Sequence, residues 1–288
     1  MKIYVDGVPY GERDARISLL DRGMRAGLGL RGHFLCRDGA FFALDGRLEQ
    51  MQSAAKELAL PFPWELPDIK ESLAVTYDMN GFDGREALLE LILTAGAEPK
   101  GKVDGEKPPE EEEFFAQPAH AVTAKKIVRQ ERQPVRLELL RDSDLSAATV
   151  LRERYLLGQT TTALARARAG AGAILLGSDG NVAACTEGEL FAVTDGHLWA
   201  PEAPYGTVDR SNALELLSDL ERPCAVRSVR PKELNGVSEC FLLTDDWELV
   251  PVGAIGKAVV GSGKAGPVAA ALAEDLPKKL WAKAKAPF

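Results

Sequence analysis

No lysine stands between Lys126 and Lys232, in a chain that otherwise carries 35 lysines and arginines. That interval holds no primary amine, so chemistry needing an amine nucleophile must find it elsewhere. Histidine is scarce as well. Only His33, His120 and His197 have an unperturbed charge change near neutral pH. The four cysteines, Cys36, Cys185, Cys224 and Cys240, fall at no metal-binding or disulfide spacing. They read as buried thiols of a reducing compartment. Apolar runs such as 87–93 and 171–176 are far shorter than the ~20 residues of a bilayer span. The opening Lys2-Ile3-Tyr4-Val5 reads as a strand rather than a secretion signal. A net charge of −8 disfavours nucleic acid and anionic membranes as partners. A cytoplasmic protein is expected.

What is present suits two hydrophobic cores, with 45% hydrophobic residues in a chain of 288. Asp6-Gly7 and Asp38-Gly39 are two-residue hairpin signals between strand-like segments, and Asp179-Gly180 and Asp195-Gly196 mark further turns. Leu48, Met51, Ala55 and Leu58 recur at helical spacing within 47–59, residues 69–80 read as a second helix, and 87–94 as a buried strand. Residues 96–118 break this order with Pro108-Pro109 and Glu110 to Glu113, an acidic loop or a docking segment for a basic partner. Strands at 122–128 and 135–140, a helix over 151–169 and a second strand-rich half follow. The pattern predicts an α+β chain with a smaller domain at 1–118, a connector at 119–136 and a larger, β-rich domain at 137–288, with a ligand cleft between them.

Several short motifs occur in one telling order: Tyr4-Val5-Asp6-Gly7, Asp21-Arg22-Gly23, Gly27-Leu28-Gly29, Ser53-Ala54-Ala55, Asp179-Gly180-Asn181-Val182, Leu190-Phe191, Arg210, Glu239-Cys240-Phe241-Leu242 and Gly266-Pro267-Val268. Together they resemble the class IV pyridoxal-phosphate (PLP) enzymes, which include branched-chain and D-amino-acid aminotransferases and aminodeoxychorismate lyase. The resemblance covers nearly the whole chain. It implies the two-domain architecture of a D-amino-acid aminotransferase (fold type IV), PLP linked to an internal lysine, and a homodimer whose subunits complete each other's pockets.

The family's chemical residues are another matter. Its lysine would fall at Val150 or Leu151, with Arg152 next. Valine and leucine have no amine, and the guanidinium of arginine stays protonated. The carboxylate that faces the cofactor's pyridine nitrogen corresponds to Ala184, with Glu187 three residues on. The phosphate-binding arginine corresponds to Gln50 and the phosphate-binding threonine to Asp245, while two further arginines correspond to Glu90 and Ala95. A carboxylate close to a phosphate dianion is repulsive. These departures lead to an expectation of no cofactor and of a pocket that disfavours dianionic phosphates.

Alternation along 28–37 puts Arg31, His33 and Leu35 on one face, the face that lines the substrate pocket in the family. Arg31 and His33 are the catalytic candidates, with His33 as general base or proton carrier. The plainer reading is a hydrogen-bonded histidine. Leu35, Glu90, Arg152, Glu187 and Asp245 complete the pocket candidates. Asp245, Asp246 and Glu90 form no metal-ligand pattern, so no metal is expected. The expected function is a class IV-like protein with a dismantled PLP site, acting as a non-catalytic small-molecule-binding or partner subunit. Its ligand would be neutral, zwitterionic or cationic, with any carboxylate toward Arg31. One alternative is a PLP-independent biosynthetic enzyme working through Arg31 and His33. Another is a PLP enzyme with a relocated lysine, such as Lys125, Lys126 or Lys257.

Overall fold

A computed structural model of the chain describes residues 1–97, 118–130, 132–140, 172–177, 179–202 and 208–288. Val150, Leu151, Arg152, the helix expected over 151–169 and most of the acidic segment lie outside the described residues. Two compact units are present, one built on Met1–Ile127 with Lys285–Phe288 and the other on the described residues from Val128 to Ala284. Each combines a sheet with helices, the α+β architecture expected.

The first unit holds strands β1 (Lys2–Val5), β2 (Val8–Gly11), β3 (Gly29–Arg37), β4 (Ala40–Phe41), β5 (Ala87–Thr94) and β6 (His120–Lys126). They form an antiparallel sheet in the order β2-β1-β6-β5-β3-β4. Asp6-Gly7 and Asp38-Gly39 close two of its hairpins with positive φ at both central residues, the geometry that matches strand twist in a two-residue turn. The stretch 119–136 holds β6 at its start and reaches β7 (Val135–Leu140) of the second unit at its end.

Side chains alternate across these strands and divide the sheet into two chemistries. Leu30, Phe34, Cys36, Leu89, Leu91, Leu93, Val122 and Ala124 face Leu48, Met51 and Ala55 of helix α2 (Leu44–Glu57) and Ile69, Leu73 and Tyr77 of helix α3 (Leu66–Met79). Burying each large side chain of this set contributes about 2 kcal/mol. The opposite face carries Arg31, His33, Glu90, Thr123 and Lys125.

Asp21-Arg22-Gly23 fixes the entry into β3. Asp21 is buried and caps helix α1 (Arg22–Ala26), its Oδ1 accepting from the Gly23 amide at 2.6 Å and its Oδ2 from the Thr94 hydroxyl at 2.6 Å. The Arg22 guanidinium donates to the carbonyls of Ala95 (2.5 Å) and Gly96 (3.2 Å). A Cβ on Gly23 would lie 2.9 Å from Asp21 Oδ1 and 3.0 Å from Thr94 Cβ, so the third residue of the motif has no room for a side chain.

The second unit holds β7, β8 (Gly172–Leu176), β9 (Val182–Cys185), β10 (Glu189–Thr194), β11 (His197–Pro201), β12 (Cys224–Arg227), β13 (Glu239–Leu243), β14 (Leu249–Ile255) and β15 (Ala258–Val259). The sheet runs β12-β11-β10-β13-β14-β7-β8-β9, with β15 paired to β14. Helices α4 (Val208–Asp219) and α5 (Pro267–Lys283) accompany it. In its interior the Arg210 guanidinium donates from Nε and Nη2 to Glu189 Oε2, at 2.8 and 2.6 Å, and from Nη1 to the Pro201 carbonyl. Both partners are buried, so removing either leaves a charge uncompensated.

Helix α5 and strand β12 escape a sequence reading. Pro277 lies inside α5 and interrupts the amide pattern that marks a helix. The start of α5 also explains why Glu239 and Gly266-Pro267-Val268 belong together. Pro267 has no amide hydrogen, and the two oxygens of buried Glu239 accept from the next amides, Val268 at 3.1 Å and Ala269 at 2.9 Å. A carboxylate at a helix N-terminus meets both unpaired donors and the positive end of the helix dipole. A Cβ on Gly266 would lie 2.1 Å from Glu239 Cδ. Glu239→Ala should therefore cost about 2 kcal/mol of stability, and Gly266→Ala at least as much, because the added carbon displaces the same carboxylate. Urea unfolding of the two variants checks this; parity with wild type would remove Glu239 as the anchor of α5.

Candidate functional site

The polar face of the first sheet brings together residues far apart in the chain. Pairing of β3 with β5 sets His33 opposite Glu90 and Arg31 opposite Ile92, and pairing of β5 with β6 sets Glu90 opposite Thr123 and Leu88 opposite Lys125. Glu90 Oε1 lies 3.5 Å from Arg31 Nη1 and 3.4 Å from His33 Nε2. All three side chains are more than two-thirds buried. Burial alone would push the Glu90 carboxyl up, but the hydrogen bond from His33 and the charges of His33, Arg31 and Lys125 outweigh it and hold the carboxyl below its usual range. Leu35 shares the face and is buried at its end. Arg31 and His33 share one face, as alternation along 28–37 predicts, and the pairing of β3 with β5 brings Glu90 to them. The cluster offers an anion-binding guanidinium, an imidazole and an ionised carboxylate within one side-chain length.

Other candidates stand elsewhere. Gln50 is half-buried on α2 and accepts from Arg47 Nη1 at 3.1 Å. Ala184 lies on β9, and Glu187 follows that strand with its side chain over Gly172. Asp245 is half-buried in the turn after β13, where the Thr244 hydroxyl donates to Asp246 and the turn closes on the Glu248 carbonyl. Burial keeps three of the cysteines in the thiol form. Burial pushes the Cys36 and Cys224 thiols up to about 12, and raises that of Cys240 as well.

Two residues that sequence reasoning left outside the pocket join the picture. Lys125 shares the Glu90 face, and alternation from Glu90's partner Thr123 would have placed it there. His120 is buried against α3 on the sheet's other face, with its Nε2 3.1 Å from the Ser72 hydroxyl.

A family model for amino-transferase class IV matches residues 33–255. The chain belongs to that family. D-alanine aminotransferase of Listeria monocytogenes is 22% identical to this chain over 278 residues, spanning 94% of the chain and 93% of that protein. Aminodeoxychorismate lyase of Bacillus subtilis is 32% identical over 101 residues, which cover 35% of this chain and only about a third, 34%, of that protein. Among solved structures, the branched-chain aminotransferase of Thermoproteus uzoniensis with norvaline superposes with a TM-score of 0.78 at 21% identity, over 98% of this chain and 95% of that one. A second branched-chain amino acid aminotransferase, solved with pyridoxamine 5'-phosphate, gives a TM-score of 0.80 at 20% identity, over 98% of this chain and 94% of that one. The fold is that of fold type IV aminotransferases, as the motif order implied.

These findings correct the expectation that the chain takes no cofactor. The family, and a solved relative carrying pyridoxamine 5'-phosphate, point to PLP, and the expected aversion to phosphates loses its basis with it. The expectation rested on the family's own anchor positions, and the side chains there do not reproduce those contacts: Gln50 is neutral, Ala184 has no carboxyl and Asp245 is acidic. A charge missing at one position can stand at another. Arg47, one helical turn before Gln50, is a buried cation whose guanidinium already reaches the Gln50 side chain.

The Glu90 carboxyl supplies a pH signature. Its folded-state pKa is depressed, so its stabilisation is present above the unfolded glutamate value of about 4.3 and is lost as pH falls through the folded-state value. Glu90→Gln should lower the melting temperature at neutral pH by a few degrees, about 1 kcal/mol. It should also narrow the gap to wild type as the solution is acidified below about pH 4.3. Scanning calorimetry across pH tests the sign; a gap that widens toward acid would contradict it.

Proposed function

We propose that this class IV aminotransferase-like protein binds PLP without a covalent link and recognises a small zwitterionic molecule at Arg31, His33 and Glu90, as a non-catalytic binding or partner subunit. The observation that carries the reading is the Glu90 carboxylate held between Arg31 and His33. A guanidinium and a carboxylate side by side suit a ligand whose own carboxylate meets Arg31 and whose ammonium meets Glu90. The absence of lysine from 127–231 supports non-covalent retention.

A second reading, a PLP-dependent aminotransferase or lyase with a relocated lysine, is favoured by the place of Lys125. It lies on the sheet face of Glu90, and its charge helps to keep that carboxyl ionised. One experiment separates the two. Equilibrium dialysis of the purified chain should show one PLP per subunit, and borohydride reduction followed by intact-mass measurement should leave the polypeptide mass unchanged. A stoichiometric adduct mapped to Lys125 would replace the first reading by the second, and failure to retain PLP at all would refute both.

The small-molecule reading also includes a homodimer. Leu19 and Leu20 are 81% and 58% exposed, and Met24 and Leu28 are 41% and 38% exposed in the segment that follows, apolar surface of the kind a second subunit covers. Light scattering coupled to gel filtration should give twice the 31.1 kDa chain mass at micromolar concentration, and Leu19→Lys with Leu20→Lys should shift the protein toward monomer. A wild-type monomer would refute the assignment.

A further inference from the structure

On the side of the first sheet away from Glu90, a cavity of about 620 Å³ opens between β1, β6 and α3. That volume suits a small organic molecule. Its walls are aromatic at one end. The His120 ring stands between Trp64 (centroids 5.2 Å apart, planes at 67°) and Tyr4 (6.0 Å, 49°). Elsewhere the lining is acidic. Asp6, Asp68 and Glu71 line it together with Asp21, whose oxygens are engaged by Gly23 and Thr94. The lining guanidinium, Arg16, has its Nη1 occupied by the carbonyls of Arg13 and Ala15.

The imidazole at the aromatic end is held by contacts at both of its nitrogens. Ser72 gives its hydroxyl hydrogen to the Asp68 carbonyl at 2.8 Å. At 3.1 Å from His120 Nε2 it can then only accept, so Nε2 carries a hydrogen. His120 is 6% exposed, and among the described residues its Nδ1 has no hydrogen-bond partner. Nδ1 lies 3.3 Å from Asp6 Oδ1, an ion pair whenever the ring is charged, and that oxygen accepts the His120 amide at 2.8 Å. The Asp6 side chain is 47% exposed, so its carboxylate is open to a cation that enters the cavity.

We infer that this cavity binds a small organic ammonium ion with an apolar body. The ammonium pairs with the Asp6 carboxylate, the surrounding carboxylates supply the favourable potential, and the apolar body lies against Trp64 and Tyr4. This site is on the opposite face from the Arg31–Glu90–His33 cluster and does not depend on the function proposed for that cluster.

Calorimetric titration of the full chain with phenethylamine tests it, with phenethyl alcohol and phenylacetate as neutral and anionic counterparts. The amine should bind one to one, the alcohol about tenfold more weakly or worse, and the anion not at all. Asp6→Asn keeps an oxygen for the His120 amide but loses the charge, and should weaken the amine about tenfold. Glu71→Gln, on the exposed side of α3, should weaken it about twofold even if the Asp6 variant folds poorly. Glu57→Gln, outside the cavity, should leave it unchanged. Equal affinity for alcohol and amine, no binding of millimolar amine, or affinity untouched by both Asp6→Asn and Glu71→Gln would overturn the inference.

Discussion

The two-residue period of β3, β5 and β6 governs most of what the first unit can do. Antiparallel pairing locks Glu90 to the level of His33, and the same register sends Leu89 and Leu91 into the core against α2 and α3. A slip of one residue would bury Arg31, His33 and Glu90 among leucines and turn the leucines outward. The hydrophobic core therefore enforces the geometry of the polar cluster. That explains how three ionisable groups can be held two-thirds buried without a dedicated scaffold, since the cost of moving them includes the cost of unfolding the sheet.

Alternation is visible in sequence, and much of the fold was legible for that reason. The Asp-Gly turns, the helix carrying Leu48 and Met51 and the common face of Arg31 and His33 all rest on local periods that a single chain displays. What stayed hidden depends on partners distant in the chain. Nothing near Glu239 shows that its carboxylate will cap a helix beginning 28 residues later at Pro267. Lys125 joins the Glu90 face only through strand pairing, and His120 acquires meaning only once Ser72 and Asp6 stand beside it. Helix α5 was obscured by its own Pro277.

The cofactor shows a different limit. Comparing positions one by one treats each anchor as replaceable only by itself, whereas an electrostatic site responds to charge within a few ångströms whatever the backbone position that supplies it. A buried Arg47 touching Gln50 is the kind of displaced charge that such a comparison overlooks. Family membership weighs the whole chain at once, and it points to the cofactor that the position-by-position comparison set aside.

The knot formed by Asp21, Arg22 and Gly23 carries a consequence for how such chains are sorted. Its polar atoms are spent on shape: a cap, two carbonyl clamps and a missing side chain that lets Thr94 approach. A lineage that altered its reaction would still use the knot to seat β3 against β5, because those contacts serve the sheet and not the polar face. Such a signature is inherited with the architecture and keeps no record of the chemistry. Chains that share it form a kinship of folding, within which substrates and reactions are free to diverge.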